Sequence, residues 1–311
     1  MFLTVTANAA LDRLIFIPRF ELATTMRTDR VIDAVGGKGF DVSVALRCLG
    51  QDTTAVGLIA GSIGQTLARI VEGYGIQTDL VWVEGETRTA HVIIETEQHR
   101  HSHIITGGYT VTPKQLQNLL DCYALHLEEA EWVAASGSLA PGVPVDFYAT
   151  VTRMAHARGV PTLIDTSGIP LVQALSAQPE IVKMNGQELT STFALEAASD
   201  GNLQEKTREV YHSHNLKSLV ITRGGRGILA FTPEGDFQVN GPRLAAINAA
   251  GAGDAVSACL IWRLSQGDGW REALRWAAAA GASTVLTERT AECEWQVVQD
   301  LYPQIHIEKI G

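Results

Sequence analysis

The sequence predicts an α/β fold, a three-layer sandwich with helices on both faces of a mainly parallel central sheet, carrying a small β-sheet lid. Two observations lead there. Short strand-like runs alternate with helical patterns along most of the chain, and two stretches, about 13–35 and 89–105, interrupt that alternation with paired strand-like pieces. No linker rich in Ser, Gly or Pro and no self-similar period divides the 311 residues, so a single domain over 1–311 is expected.

Phe2 to Thr6 reads as a buried strand that breaks at Asn8-Ala9-Ala10. Leu14 to Phe20 and Arg27 to Val35 read as strands joined by a polar link and running into the glycines at Gly36, an excursion that suits a lid. Phe40 to Leu49 reads as a helix ended by Gly50, and Thr53 to Ile59 as the next strand, so a βαβ alternation begins. Strand-like runs recur at Trp132–Ala135, Thr162–Asp165, Ile181–Met184 and Ser218–Thr222, between helical patterns such as Val145–Ala157. Val92–Ile94 and Ser102–Ile105 flank the polar stretch Glu95–His101 and return to the lid. The apolar alternation of Leu14, Phe16, Val92 and Ile94 would leave one lid face bare, which points to covering by the substrate site or a second subunit.

Bulk properties narrow the function. The formal charge of -10, from 34 acidic and 24 basic residues, repels a polyanion, so nucleic acid is a poor partner. No apolar run reaches the roughly 18 residues that span a bilayer, and no secretory leader pattern opens the chain, so no membrane association and a cytoplasmic location are expected. Cys48, Cys122, Cys259 and Cys293 are scattered without a C-x-x-C pair and read as free thiols. His99, His101 and His103 alternate on one strand face and read as a wet lid surface, since no carboxylate or cysteine partner for a metal is identifiable. Trp262, Trp270, Trp276 and Trp295 read as packing between the carboxyl-terminal helices.

Two glycine clusters carry the chemistry. Asn248-Ala249-Ala250-Gly251-Ala252-Gly253-Asp254-Ala255 precedes an apolar helical stretch from Val256 to Leu264. A glycine turn opening a helix offers unpaired N–H groups and the positive end of the helix dipole to an anion, with Asp254 at its edge able to take a proton from an attacking hydroxyl. Taken alone, the same residues serve equally as a tight turn with Asp254 as helix cap. Val35-Gly36-Gly37-Lys38-Gly39 lies at another strand-to-helix transition, where adjacent glycines allow close approach and Lys38 adds charge. It fits neither the nucleotide P-loop nor the dinucleotide spacing.

These clusters, in this order and over nearly the whole chain, resemble the PfkB family of carbohydrate kinases, which has the ribokinase-like fold. Asn8-Ala9-Ala10-Leu11-Asp12 resembles the family's opening sugar-binding turn, and Ser136-Gly137-Ser138-Leu139-Ala140-Pro141-Gly142 is similar to a loop of the 1-phosphofructokinase and tagatose-6-phosphate kinase branch. The resemblance implies Asp254 as catalytic base in an anion hole of Gly251, Ala252 and Gly253. It implies Asp12, Arg27, Gly36, Gly37, Lys38, Asp41, Arg88 and Ser138 on the substrate side. Lys183, Asn185, Thr222, Gly224 and Gly227 fall on the ATP side, and Asn185 with Glu188 matches an N-x-x-E element that organises Mg2+ and its waters. Arg223 and Arg226, in the same turn as Gly224, read equally as solvated turn residues.

Three positions depart from the family pattern: Asp41 and Ala90 each stand where it has asparagine, and Ala9 where the branch has proline. All three lie on the sugar side. The implied activity is transfer of the γ-phosphoryl group of ATP to a phosphorylated ketose. Arg88, Lys38 and Arg27 supply the cations, and Asp41 pairs with one of them. A kinase of an unphosphorylated sugar or nucleoside, and a catalytically silent sugar-binding regulator, are the alternatives. The resemblance also implies a homodimer formed through the lid.

Overall fold

The computed structural model describes residues 1–98, 100–195 and 200–310, so His99 lies outside the described residues. The chain opens with β1 (Phe2–Thr6), β2 (Ala10–Ile17), β3 (Val31–Gly36) and α1 (Lys38–Cys48). There follow β4 (Thr53–Ala60), α2 (Gly61–Gly73), β5 (Gln77–Val83), β6 (Gly85–Glu95), β7 (Arg100–Tyr109) and α3 (Pro113–His126). The middle of the chain forms β8 (Trp132–Ser136), α4 (Phe147–His156), β9 (Thr162–Asp165), α5 (Gly168–Ala174), β10 (Ile181–Asn185) and α6 (Gly186–Thr192). Beyond it lie α7 (Asp200–Ser213), β11 (Leu219–Thr222), β12 (Ile228–Thr232), β13 (Gly235–Asn240) and α8 (Ala252–Ser265). The last elements are α9 (Trp270–Thr284), α10 (Trp295–Leu301) and β14 (His306–Lys309).

Ten strands make one sheet in the order β14-β13-β12-β11-β10-β9-β8-β1-β4-β5. The pairings from β11 to β5 are parallel, and β12, β13 and β14 add antiparallel at one edge. Alternate residues of each strand feed opposite faces, which is why buried parallel strands read as unbroken apolar runs. Leu3 and Val5 of β1 pack with Leu119 and Tyr123 of α3 and Phe147 and Tyr148 of α4. Phe2 faces the other way, toward Val42 and Leu46 of α1, Leu260 of α8 and Leu274 of α9. On that second face Trp276 stacks on Trp295, and Trp262 meets Trp295 edge-on. The expected α/β class is thus the observed one.

The two excursions pair into a separate four-stranded sheet of order β3-β2-β6-β7. Its strands differ from the sequence reading at the ends. β2 stops at Ile17, because Pro18 has no N–H for the ladder. β3 starts only at Val31, because the hydroxyl of Thr28 donates to the carbonyl of Phe16 where a strand amide would have been. Arg27 therefore sits on an exposed connection rather than on a strand. The face carrying Leu14, Phe16, Val92 and Ile94 is already buried within the single chain. Val31, 47% accessible, and Ile104, 51%, lie on the opposite face, whereas Ile105, 58% accessible, shares the face of Val92.

Candidate active site

The carboxyl ends of the parallel strands converge on one region, as in other open parallel sheets. Asn8 follows β1, Ser138 follows β8, Asp165 ends β9, Asn185 ends β10 and Thr222 ends β11. A cavity of about 700 Å³ opens there, lined by Asp12, Gly37, Lys38, Asp41, Arg88, Ser138 and Glu188, with His103 and Ile105 contributed by β7.

At one end, the turn after β1 is pinned from both sides. Asn8 donates to Ser138 Oγ at 3.1 Å, and the guanidinium of Arg88 donates to the carbonyls of Asn8 at 3.0 Å and Ala9 at 3.3 Å. Tyr109 accepts from the Ala9 amide at 3.3 Å and donates to the Leu58 carbonyl at 2.6 Å. Asp12 accepts from Thr290 Oγ1 at 3.2 Å, and its carboxyl is pushed up to about 6 by burial, against the pull of Thr290 and Arg88. Gly36 is required by this packing, because a side chain there would run into the Asp12 carboxyl and the Ala10 carbonyl. Gly37 opens α1 at φ 101°, a left-handed conformation that favours glycine.

Lys38 does not stand free in the cavity. Its Nζ donates to Asp165 Oδ1 at 2.7 Å and Glu188 Oε1 at 2.8 Å, and these carboxylates together with Asp254 hold it protonated despite burial. Lys183 donates to the other oxygen of Asp165 at 2.6 Å. Burial alone would raise the Asp165 carboxyl; the two lysines outweigh it and hold it below the usual range. Asp165 had been legible only as a strand end. A carboxylate at the carboxyl end of a buried parallel strand was the signal for it.

Asn185 and Glu188 form a capping box at the start of α6. Asn185 Oδ1 accepts from the amides of Gln187 and Glu188 at 2.9 Å each, and Glu188 Oε2 accepts from the Asn185 amide at 2.8 Å. Thr222 leads into a tight turn in which Gly224 and Gly227 both have positive φ, and a side chain on Gly227 would strike the Val239 carbonyl. Arg223, half-buried, donates to the Arg226 carbonyl at 2.9 Å, and its Nε has no partner among the described residues.

The second glycine cluster opens α8 from Gly251, at φ 78°. Gly251 is backed by Ala291, whose backbone leaves no room for a side chain, and Ala291 donates to the Ala250 carbonyl at 3.3 Å. The Ala252 amide bonds Ala249 and the Asp254 amide bonds Gly251, which leaves the amides of Gly251 and Gly253 without a protein partner among the described residues. Asp254 is 6% exposed, and its Oδ1 has no hydrogen-bond partner among the described residues. Burial pushes its carboxyl up to about 7; Lys183 and Lys38 pull it down, Asp165 and Glu188 push it up. Asp254 is not among the residues lining the cavity, and it lies within reach of those four charges.

The structure thus gathers most of the residues singled out in the sequence and corrects two expectations. Arg27 is exposed and is not among the residues lining the cavity, because β3 begins four residues after it. Asp41 pairs with no cation: among the described residues it has no ion pair, since Lys38 is taken up by Asp165 and Glu188. Thr290 and Tyr109, which reach the turn from distant parts of the chain, had no signal in the sequence. His101 and His103 meet edge-on at 5.2 Å, and burial lowers the affinity of His103 for a proton.

No helix among the described residues is long and apolar enough to cross a membrane. A Staphylococcus epidermidis tagatose-6-phosphate kinase is 26% identical over 99% of both chains. The fold superposes on a Thermotoga maritima protein described as a possible 1-phosphofructokinase, at a TM-score of 0.91 and 24% identity, covering 100% of this chain and 99% of that one. It also superposes on Escherichia coli phosphofructokinase-2 in complex with substrates and products, at a TM-score of 0.87 and 24% identity over 97% and 98% of the two chains. Residues 5–297 match the pfkB family carbohydrate kinase description, and the chain belongs to that family.

Proposed function

We propose that this carbohydrate kinase transfers the γ-phosphoryl group of Mg-ATP to a hydroxyl of a phosphorylated ketose of the fructose-1-phosphate or tagatose-6-phosphate type. The observation that carries the reading is Asp254: a buried carboxyl poised near neutrality, next to two glycine amides, where neither one carboxyl oxygen nor the amides have a partner among the described residues. As base it takes the proton of the acceptor hydroxyl, while the turn Gly251-Ala252-Gly253, through the amides of Gly251 and Gly253, holds the charge of the transferring group. Lys183, Thr222, Gly224 and Gly227 border the nucleotide, and Asp12, Gly36, Gly37, Lys38, Asp41, Arg88 and Ser138 hold the acceptor. Arg27 joins them only if the small sheet closes as a lid and brings the exposed connection over the cavity.

Magnesium fits the donors at the end of β10 as a hydrated ion. Both Glu188 oxygens and Asn185 Oδ1 already accept hydrogen bonds, and no group of three or more His, Cys, Asp or Glu side chains able to hold a metal occurs among the described residues. Oxygen contacts made through water, with phosphates completing the shell, suit that set. When bound, the ion withdraws charge from the phosphates.

A kinase of an unphosphorylated sugar is favoured by one observation: Lys38 is committed to Asp165 and Glu188, and Arg88 spends two donors on carbonyls. ATP consumption measured against a panel of sugar phosphates and free sugars decides between the two. Turnover on the phosphates supports the proposal, turnover confined to free sugars replaces it with the second reading, and none on either leaves a silent binder. The single domain and the lid-to-lid homodimer belong to the same proposal.

A further inference from the structure

Two carboxyls of the cavity lining, Asp12 and Asp41, and the carboxyl of Asp254, which acts on Asp41 from outside the lining, have no ion pair among the described residues. Asp12 has Thr290 and lies beside Arg88, and Asp254 has both lysines within reach. Asp41 is the least compensated. It lies in the first turn of α1, is 5% exposed, lines the cavity, and its Oδ1 has no hydrogen-bond partner among the described residues. Counting the whole site, Lys38, Lys183 and Arg88 face the carboxyls of Asp12, Asp41, Asp165, Asp254 and Glu188. Five buried or half-buried carboxylates against three cations leave the site short of positive charge, and protons make up such a deficit.

We propose that Asp41 enters the reaction as a neutral carboxylic acid whose O–H donates a hydrogen bond to an oxygen of the acceptor, leaving Asp254 as the ionised carboxylate beside the reacting hydroxyl. The inference rests on the reading of this cavity as the acceptor site. Burial holds the proton on Asp41, and the neighbouring carboxyls of Asp254 and Asp12 hold it further. Two groups oppose them. Lys38 is shared between Asp165 and Glu188, and the positive end of α1 acts on Asp41 from its own helix. A protonated carboxyl is a donor, which an ionised one is not, so Asp41 selects an acceptor with an oxygen at this point and discriminates against its deoxy analogue.

Two measurements test this. The first is an infrared difference spectrum between wild type and Asp41→Asn at neutral pH without substrate. A protonated-carboxyl C=O band belonging to Asp41 is expected; carboxylate bands in its place overturn the proposal whatever the protein phosphorylates. The second is the pH profile of kcat/KM on the acceptor found by the panel. Asp41→Ala is expected to lose about tenfold, the worth of one hydrogen bond. Asp41→Asn recovers most of that loss and removes the alkaline decline that wild type shows as Asp41 ionises. An Asn variant as impaired as Ala, or one that keeps the decline, overturns the proposal. If no acceptor is phosphorylated, the acceptor-site reading fails, and the infrared result still decides the proton.

Discussion

A Cβ added to Gly253 would stand 2.7 Å from Nζ of Lys183, so the turn that opens α8 and the lysine of β10 share a space that glycine alone leaves free. Lys183 cannot retreat cheaply, because its Nζ is bonded to Asp165 at 2.6 Å. Gly253→Ala is expected to displace the ammonium and lower kcat by about 10²-fold, the scale of an ångström-sized misplacement. Thermal melting close to wild type would show that the fold survives. Wild-type kcat in this variant would separate the turn from catalysis.

Asp254→Asn removes the proton acceptor and keeps the backbone amides, so kcat should fall by about 10² to 10⁴ while calorimetry shows ATP still bound. In wild type the base must be ionised, so kcat/KM should rise with pH through about 7, where burial has moved this carboxyl.

Stability runs the other way with pH. The folded protein keeps a proton on Asp254 up to about 7, whereas the unfolded chain loses it near the ordinary value of 3.8. The folded state therefore binds more protons in that window, and the contribution of this group, complete below 3.8, is lost as pH rises through about 7. Asp254→Asn should melt higher than wild type at about pH 8, by on the order of a few degrees, and lose that advantage toward about pH 4. Melting curves that do not converge in acid would contradict the assignment.

Arg88→Ala separates acceptor classes. Arg88 also supports the Asn8 and Ala9 carbonyls, so some loss on every acceptor is expected. The informative quantity is the ratio: a phosphorylated acceptor should lose at least about tenfold more kcat/KM than a free sugar, because a charged hydrogen bond goes with it. Equal losses would move the protein to the second reading.

The outer face of the small sheet, with Val31 and Ile104 about half exposed, is where a second copy would pack. Ile104→Asp should convert a dimer at micromolar concentration to monomer in sedimentation velocity, since a carboxylate there opposes burial. A wild-type chain that sediments only as monomer removes the dimer.

The central strands were legible because both of their faces are buried, which writes them as apolar runs, and the glycine turns because backbone had to come close to something. Alternation in β2 and β6 revealed that the small sheet has two faces but not which one the rest of the chain covers. Leu14 and Phe16 proved buried, Val31 and Ile104 lie exposed opposite, and Ile105, on the inner face, stays open to the cavity. Arg27 reads as a strand residue but sits on a connection, because a hydroxyl–carbonyl bond from Thr28 ends the pairing, and nothing in a strand pattern records such a bond. Thr290 meets Asp12 across 278 residues of sequence, a distance over which composition and spacing carry no information.

Asp165 is fully buried and held by two lysines from different parts of the chain, one on each carboxylate oxygen. That arrangement restricts how the sequence can drift. Replacing either lysine leaves a buried carboxylate half answered, and replacing Asp165 strands the buried Lys183 ammonium and leaves Lys38 with Glu188 alone, so single changes at any of the three are heavily penalised. In descendants of this chain, positions 38, 165 and 183 should be inherited together or change together, and a homologue lacking one of them is the place to look for a compensating charge at another.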